Sequence, residues 1–187
     1  NSPDPMPPYA GWSTAASTIQ DAVDAASVGD VIVVTNGLYQ SGGRPLPGEI
    51  LTNRVTVTNA ITIESVNGPE VTVVAGAVAI DGDTAVRCAD LADGATLSGF
   101  TLTEGATRNE IYLTNDDQGR GGGAWCQSTN VLISNCIIIS NQCAVYGAGV
   151  YSGTVSNCQV AYNGTYSGSD GGGGGLAYSV VLNSIIR

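Results

Sequence analysis

Two acidic clusters and three aromatic residues are the side chains whose types and spacing best suit them to chemistry. Asp81-Gly82-Asp83 and Asn115-Asp116-Asp117 each place two carboxylates close together in a stretch without strand-like alternation, and Arg120 follows the second. Ca²⁺ takes six to eight oxygen ligands, and loop carboxylates supply them. Asp81, Asp83, Asp116 and Asp117 are therefore candidate metal ligands, with Ca²⁺ the candidate cofactor. Asp, Asn and Gly are also what ordinary turns are made of, and that reading stands beside the metal one. Trp125, Tyr151 and Tyr178 follow glycine steps at Gly123, Gly149 and Gly175, each 26 residues after the last. If Ala124, Cys126, Val150, Ser152, Ala177 and Ser179 face a core, the three aromatics face outward as a stripe. Such a stripe stacks on sugar rings or on a partner's surface, or else its rings pack on one another and a loop.

Several chemistries are excluded by absence. With no His there is neither a Ser-His-Asp or Cys-His nucleophile nor a His metal site. All six basic side chains are Arg, so no Lys is present for a Schiff base or a P-loop. Gly119-Arg120-Gly121-Gly122-Gly123 is followed by strand-like residues, not by the helix a dinucleotide fingerprint needs. Hydrolysis of a glycoside by two carboxylates stays open. The formal charge of −10 repels nucleic-acid phosphates and anionic membranes, so neither is expected as a partner. No apolar run reaches the roughly 18 residues of a membrane span. The opening Asn1-Ser2-Pro3-Asp4-Pro5 reads like a processed mature end and suggests export.

These residues need a scaffold, and the repeat supplies it. A second cassette follows each glycine step: Ile133-Ser134-Asn135-Cys136, Val155-Ser156-Asn157-Cys158 and Val181-Leu182-Asn183-Ser184. Recurrence at this interval means stacked supersecondary units. Gly is abundant at 26 of 187 residues, and charged residues make up 12 %, about half their usual share. That composition suits short strands and tight turns. The expected strands are 54–58, 60–64, 71–74, 96–102, 124–126, 131–133, 137–139 and 149–151, with long irregular stretches at 40–52, 76–86 and 104–121. Stacking aligns Leu97, Ile133, Val155 and Val181; Phe100, Cys136, Cys158 and Ser184; and Leu102, Ile138, Val160 and Ile186 as inward columns. Thr101, Ile137, Gln159 and Ile185 then face out. Asn135, Asn157 and Asn183 fall at a corner, where stacked amides can bond one another. Cys136 and Cys158 are expected as buried thiols, in a geometry that also permits a disulfide between coils. Asn163-Gly164-Thr165 fits an N-glycosylation acceptor. The one helical pattern is 14–27, with Ser13 or Thr14 as cap, Ile19, Ala22, Val23 and Ala26 on its apolar face, and Gly29 as stop.

The helix, with Val28-Gly29-Asp30-Val31-Ile32-Val33-Val34-Thr35-Asn36-Gly37-Leu38-Tyr39 after it, resembles the N-terminal cap and first turn of right-handed parallel β-helix proteins, the pectate-lyase-like superfamily. Residues 65–73 and 93–102 resemble the next coils. The Gly-Gly-aromatic and Ser-Asn-Cys cassettes resemble repeats of large bacterial surface β-helix proteins. These include proteins with polymorphic-outer-membrane-protein-type repeats and a C-terminal sorting anchor. The resemblance implies an all-β fold over 1–187. It would be a right-handed parallel β-helix (solenoid) of roughly five to seven coils. An extended lead (1–12), a short N-terminal capping α-helix (14–27) and coils (31–187) make up the single domain. It further implies a secreted or bacterial cell-surface structural and adhesive module, with Trp125, Tyr151 and Tyr178 contacting a polysaccharide, a surface glycan or a neighbouring protein. In pectate-lyase-like enzymes, loop carboxylates hold calcium against an acidic sugar and an Arg or Lys takes a proton. Asp116, Asp117 and Arg120 would imitate that set, which makes a calcium-dependent polysaccharide lyase or a hydrolase the alternative. The family's polygalacturonase-like hydrolases carry a His-containing motif that this chain lacks. The sequence stops in mid-strand at Ile185-Ile186-Arg187. That suggests either a fragment of a longer protein or self-assembly through an open last coil stacked on another copy.

Overall fold

The computed structural model of the chain describes residues 2–78, 84–108, 117–166 and 173–187. The one α-helix among these residues is Ile19–Ala25, shorter than the 14–27 expected. A capping box fixes the start at Thr18, whose hydroxyl accepts from Asp21 N–H while the Asp21 carboxylate accepts from Thr18 N–H. Ser13 and Thr14, the expected caps, lie in or beside a separate 3₁₀ turn, Trp12–Thr14. The end comes at Ala26 and not at Gly29, because Asp30 accepts from Ser27 N–H and pulls the next residues into a turn. Ile19 and Val23 are buried in the main core, with Ala26 packed against it.

Three six-stranded sheets follow. The first contains Val31–Val34, Thr62–Ser65, Thr96–Ser98, Leu132–Ser134, Thr154–Ser156 and Val180–Leu182. The second contains Gly37–Tyr39, Thr72–Ala75, Thr101–Thr103, Ile137–Ile139, Gln159–Ala161 and Ile185–Ile186. The third contains Arg44–Pro45, Thr52–Val57, Val86–Leu91, Ala124–Cys126, Val150–Tyr151 and Leu176–Ala177. The chain visits the three in turn, and neighbouring strands pair in parallel except at Arg44–Pro45. The chain is thus all-β apart from its short helices, and its stacked parallel sheets of very short strands are compatible with a β-solenoid.

Register sets the core. Ile63, Leu97, Ile133, Val155 and Val181 stack in the first sheet. Val74, Leu102, Ile138, Val160 and Ile186 stack in the second. Val55, Ala89, Ala124, Val150 and Leu176 stack in the third. Most of these side chains are fully buried, whereas Val181 and Ile186 on the last rung are 43 % and 45 % exposed. The span expected as one strand, 96–102, is two strands broken at Gly99-Phe100.

The bends explain the recurrent Asn. Gly99, Asn135, Asn157 and Asn183 occupy the same corner with φ of 80°, 53°, 53° and 47°. That left-handed conformation is one Gly and Asn tolerate. The expected amide stack at this corner does not form among the described residues: the three Asn side chains are exposed, and Asn135 donates to Ser98 Oγ. The stacked amides lie instead at Asn141 and Asn163, one corner on. Asn141 Nδ2 donates to Asn163 Oδ1 at 2.9 Å and to Leu102 O, Asn141 Oδ1 accepts from Gly105 N–H, and Asn163 Nδ2 donates to Ile138 O. These amides press on the cassette glycines. A Cβ on Gly123 would lie 2.4 Å from Gly149 O and 2.9 Å from Asn141 Nδ2, and one on Gly149 would lie 2.4 Å from Gly175 O. Close approach of backbone to backbone therefore fixes Gly at the 26-residue interval.

The facing of the columns is testable. Ile133→Ala, at a fully buried position, should cost about 2–5 kcal/mol. Ile137→Ala, on the opposite face four residues away, should cost under about 1 kcal/mol. Equal losses in chemical denaturation would mean that the register is wrong.

Candidate functional site

The connections between strands are unequal. First-to-second-sheet bends have two residues in every rung but one, and third-to-first links have two to five. Arg44–Pro45 follows Tyr39 after four residues, but at least ten residues separate each second-sheet strand from the next parallel strand of the third sheet. The long irregular stretches of the sequence thus all arrive at one edge of the third sheet, and length of this kind is where scaffolds carry function. These passages build a small core of their own from Leu51, Ala85 and Ala106, with Tyr166 against it. Gln118 Oε1 accepts from Ile50 N–H and Leu51 N–H, joining two of them.

Along the outer face of the third sheet, Thr56, Asp90, Trp125, Tyr151 and Ala177 form one column. Its first half is covered. Gln20 of the helix bonds both Thr56 N–H and Thr56 O. Arg87 is fully enclosed and spends all five N–H groups: on Gly121 O, Asn53 Oδ1, Asp90 Oδ2 at 2.8 Å, Asp117 O and Arg120 O. A buried guanidinium is tolerated only when paired and fully bonded. Here three of its five bonds go to the carbonyls of 117–121. Arg87 therefore staples that turn to the sheet and sets where Asp117 and Arg120 project. Burial lowers the Arg87 pKa, against the opposing pull of Asp90. Burial likewise pushes the Asp90 carboxyl up to about 6, with Arg87 pulling it back and Glu49 and Asp117 adding to the rise.

The second half of the column is partly open. Arg120 donates through one terminal nitrogen to Asp117 Oδ1 at 3.0 Å and to Tyr151 OH at 3.3 Å. Its guanidinium carbon lies 5.0 Å from the centre of the Tyr151 ring. Tyr151 meets Tyr178 edge to face at 5.5 Å, and Tyr178 meets Tyr146 at 6.2 Å. Tyr178 is 72 % exposed, while Tyr151 and Trp125 are half-buried.

The expected stripe is therefore rearranged. Register pairs Tyr151 with Ala177, and Leu176, not Ala177, continues the inward column of Val150. Tyr178 stands one residue further on, at the bend, with φ of 56°, and its ring folds back onto Tyr151. Trp125 sits one rung earlier, and its Nε1 is buried without a hydrogen-bond partner among the described residues. Tyr146 is a member that the sequence reading missed. The signal was present: Arg120-Gly121 and Tyr146-Gly147 stand 26 residues apart, at the same offset before Gly123 and Gly149.

Asp81, Asp83 and Asp116 lie outside the described residues, and Asp117 is ion-paired to Arg120. Among the described residues, no three of His, Cys, Asp and Glu could hold a metal ion together. The acceptor-like Asn163 has its amide committed to the Asn141 pair and to Ile138 O, so that sequence pattern serves the scaffold. All five Cys are buried free thiols. Cys136 N–H donates to Cys158 Sγ. Burial pushes the Cys88 and Cys143 thiols up to about 12, which makes them inert. Among the described residues, no helix is long and apolar enough to cross a membrane. No family model matches the chain, and no curated protein or solved structure matches it either.

The staple has a pH signature. A carboxyl near 6 in the fold and near 4 when unfolded keeps an extra proton in the folded state between those values. Stability from this group therefore falls as pH rises from about 4 to about 6 and is level above that. Asp90→Asn removes the term. The unfolding free energy of wild type minus that of the variant should fall by on the order of 2–3 kcal/mol across that window. A flat difference would mean that Asp90 titrates as an ordinary carboxylate.

Proposed function

We propose that this chain is a right-handed parallel β-helix of the pectate-lyase-like kind, secreted or displayed on a bacterial surface, that works as a rigid module holding glycan chains. The fold reading is supported by three sheets visited in rotation, a helix packed on the first rungs and the residues that resemble the superfamily's cap and coils. The binding reading rests on one observation. An exposed Tyr178 ring is held by the edges or faces of Tyr146 and Tyr151, with the Arg120 guanidinium over Tyr151. Fixed, amphipathic rings beside a charged donor lose little entropy on contact and stack well on the C–H faces of sugars.

A lyase reading needs Arg120 as the group that takes a proton. Here the guanidinium is held between Asp117 and the Tyr151 hydroxyl, an arrangement that suits orientation of a ligand. The adhesive reading is therefore preferred.

Tyr151→Ala and Tyr178→Ala together, and with Trp125→Ala as a third change, should weaken retention on immobilised polysaccharide by about tenfold or more. The circular dichroism spectrum should stay unchanged. Retention that survives a chelator agrees with this reading. Unchanged retention by the variants, or product release that a chelator stops, would replace it.

A further inference from the structure

We infer that the Tyr178–Tyr151–Arg120 corner selects a neutral oligosaccharide over an acidic one, an inference that rests on the glycan-binding reading above. The selection comes from the charge arithmetic of the corner. The one guanidinium that faces it, Arg120, carries its own carboxylate: the Arg120–Asp117 pair closes at 3.0 Å, with the Asp117 side chain 47 % exposed and that of Arg120 16 % exposed. The two charges cancel. The neighbouring Arg87 adds no available cation, since its five N–H groups are bonded and its side chain is enclosed. Arg108 is itself buried and already engaged. A uronate or sulfated sugar brought here would set its anion against Asp117 with no uncompensated positive charge to receive it, on a chain of formal charge −10.

A neutral sugar fits the same groups. Each hydroxyl both donates and accepts. A vicinal pair can donate to the open oxygen of Asp117 and accept from the guanidinium, while the ring's C–H face lies on Tyr178. The steps from Tyr178 to Tyr151, 5.5 Å, and from Tyr151 to the guanidinium, 5.0 Å, separate the stacking surface from the hydrogen-bonding pair.

The test titrates the full chain by calorimetry with neutral hexasaccharides (cello-, xylo- and manno-oligomers) and with oligogalacturonate of equal length, at low and high salt. The expected result is binding of at least one neutral oligomer with an affinity that salt does not change, and oligogalacturonate about tenfold weaker or worse. Asp117→Asn gives the sharper readout. It exchanges one carboxylate oxygen for an amide donor and leaves the Arg120 charge uncompensated, so the neutral ligand should lose about tenfold while the uronate gains and becomes salt-sensitive. Loss of both ligands in that variant would mean that Asp117 acts only by shaping the turn, and would overturn the inference. Tighter uronate binding by the wild type would overturn the selectivity while leaving the glycan-binding reading intact. Binding of neither class would overturn both.

Discussion

Parallel strands stacked in register put every residue about 4.8 Å from its counterpart one coil away, and the rest of this structure follows from that spacing. A residue type that satisfies one rung must be compatible with the rungs on both sides. Branched aliphatics meet this demand by stacking into continuous columns such as Leu97, Ile133 and Val155. Amides meet it by bonding along the stack, as Asn141 and Asn163 do. Where those amides and the neighbouring carbonyls crowd the backbone, only Gly fits, as at Gly123 and Gly149. The repeat in the sequence is the trace of these three solutions.

The spacing has a cost at the third sheet. Long passages must cross its outer face, and their backbone carbonyls need partners once water is excluded. Arg87 supplies them for the turn 117–121. Its enclosure looks unfavourable in isolation, because a buried ion pair gains little over well-packed apolar residues. The guanidinium is nevertheless the one side chain with five donors in a fixed fork, and the fork spans a strand, a neighbouring strand and a turn. The rise in the Asp90 pKa is the electrostatic price of that arrangement, and the fixed position of Asp117 and Arg120 is its result.

The scaffold and the candidate site are thus continuous in space, joined through Arg87. The inward columns stack the sheets, while the passages cover part of their outer face and leave the rest to solvent. The aromatic corner lies at their junction. Tyr151 belongs to a strand and is placed by register; Tyr178 and Tyr146 belong to bends and are placed by packing on it. Arg120 is placed by a turn whose backbone the buried Arg87 holds.

Alternation and repetition are local properties, so the strand pattern, the inward columns, the glycine interval and the Trp125, Tyr151 and Tyr178 side chains were legible in the sequence alone. Helix length was less so, because the Thr18–Asp21 box and Asp30 compete with a weak periodic pattern over 14–27. Tertiary structure alone decided the rest. The one-residue offset of Tyr178 depends on how its strand pairs with Val150–Tyr151. The choice of Asn141 and Asn163 over Asn135 and Asn157 for the amide stack depends on which corner turns its side chains inward. The bonds from Arg87 to Gly121 and Asn53 join residues 34 positions away in either direction. Repeats determine which residues share a column, but which column is buried, and what crosses it, is settled only when passages distant in sequence compete for the same donors and the same space.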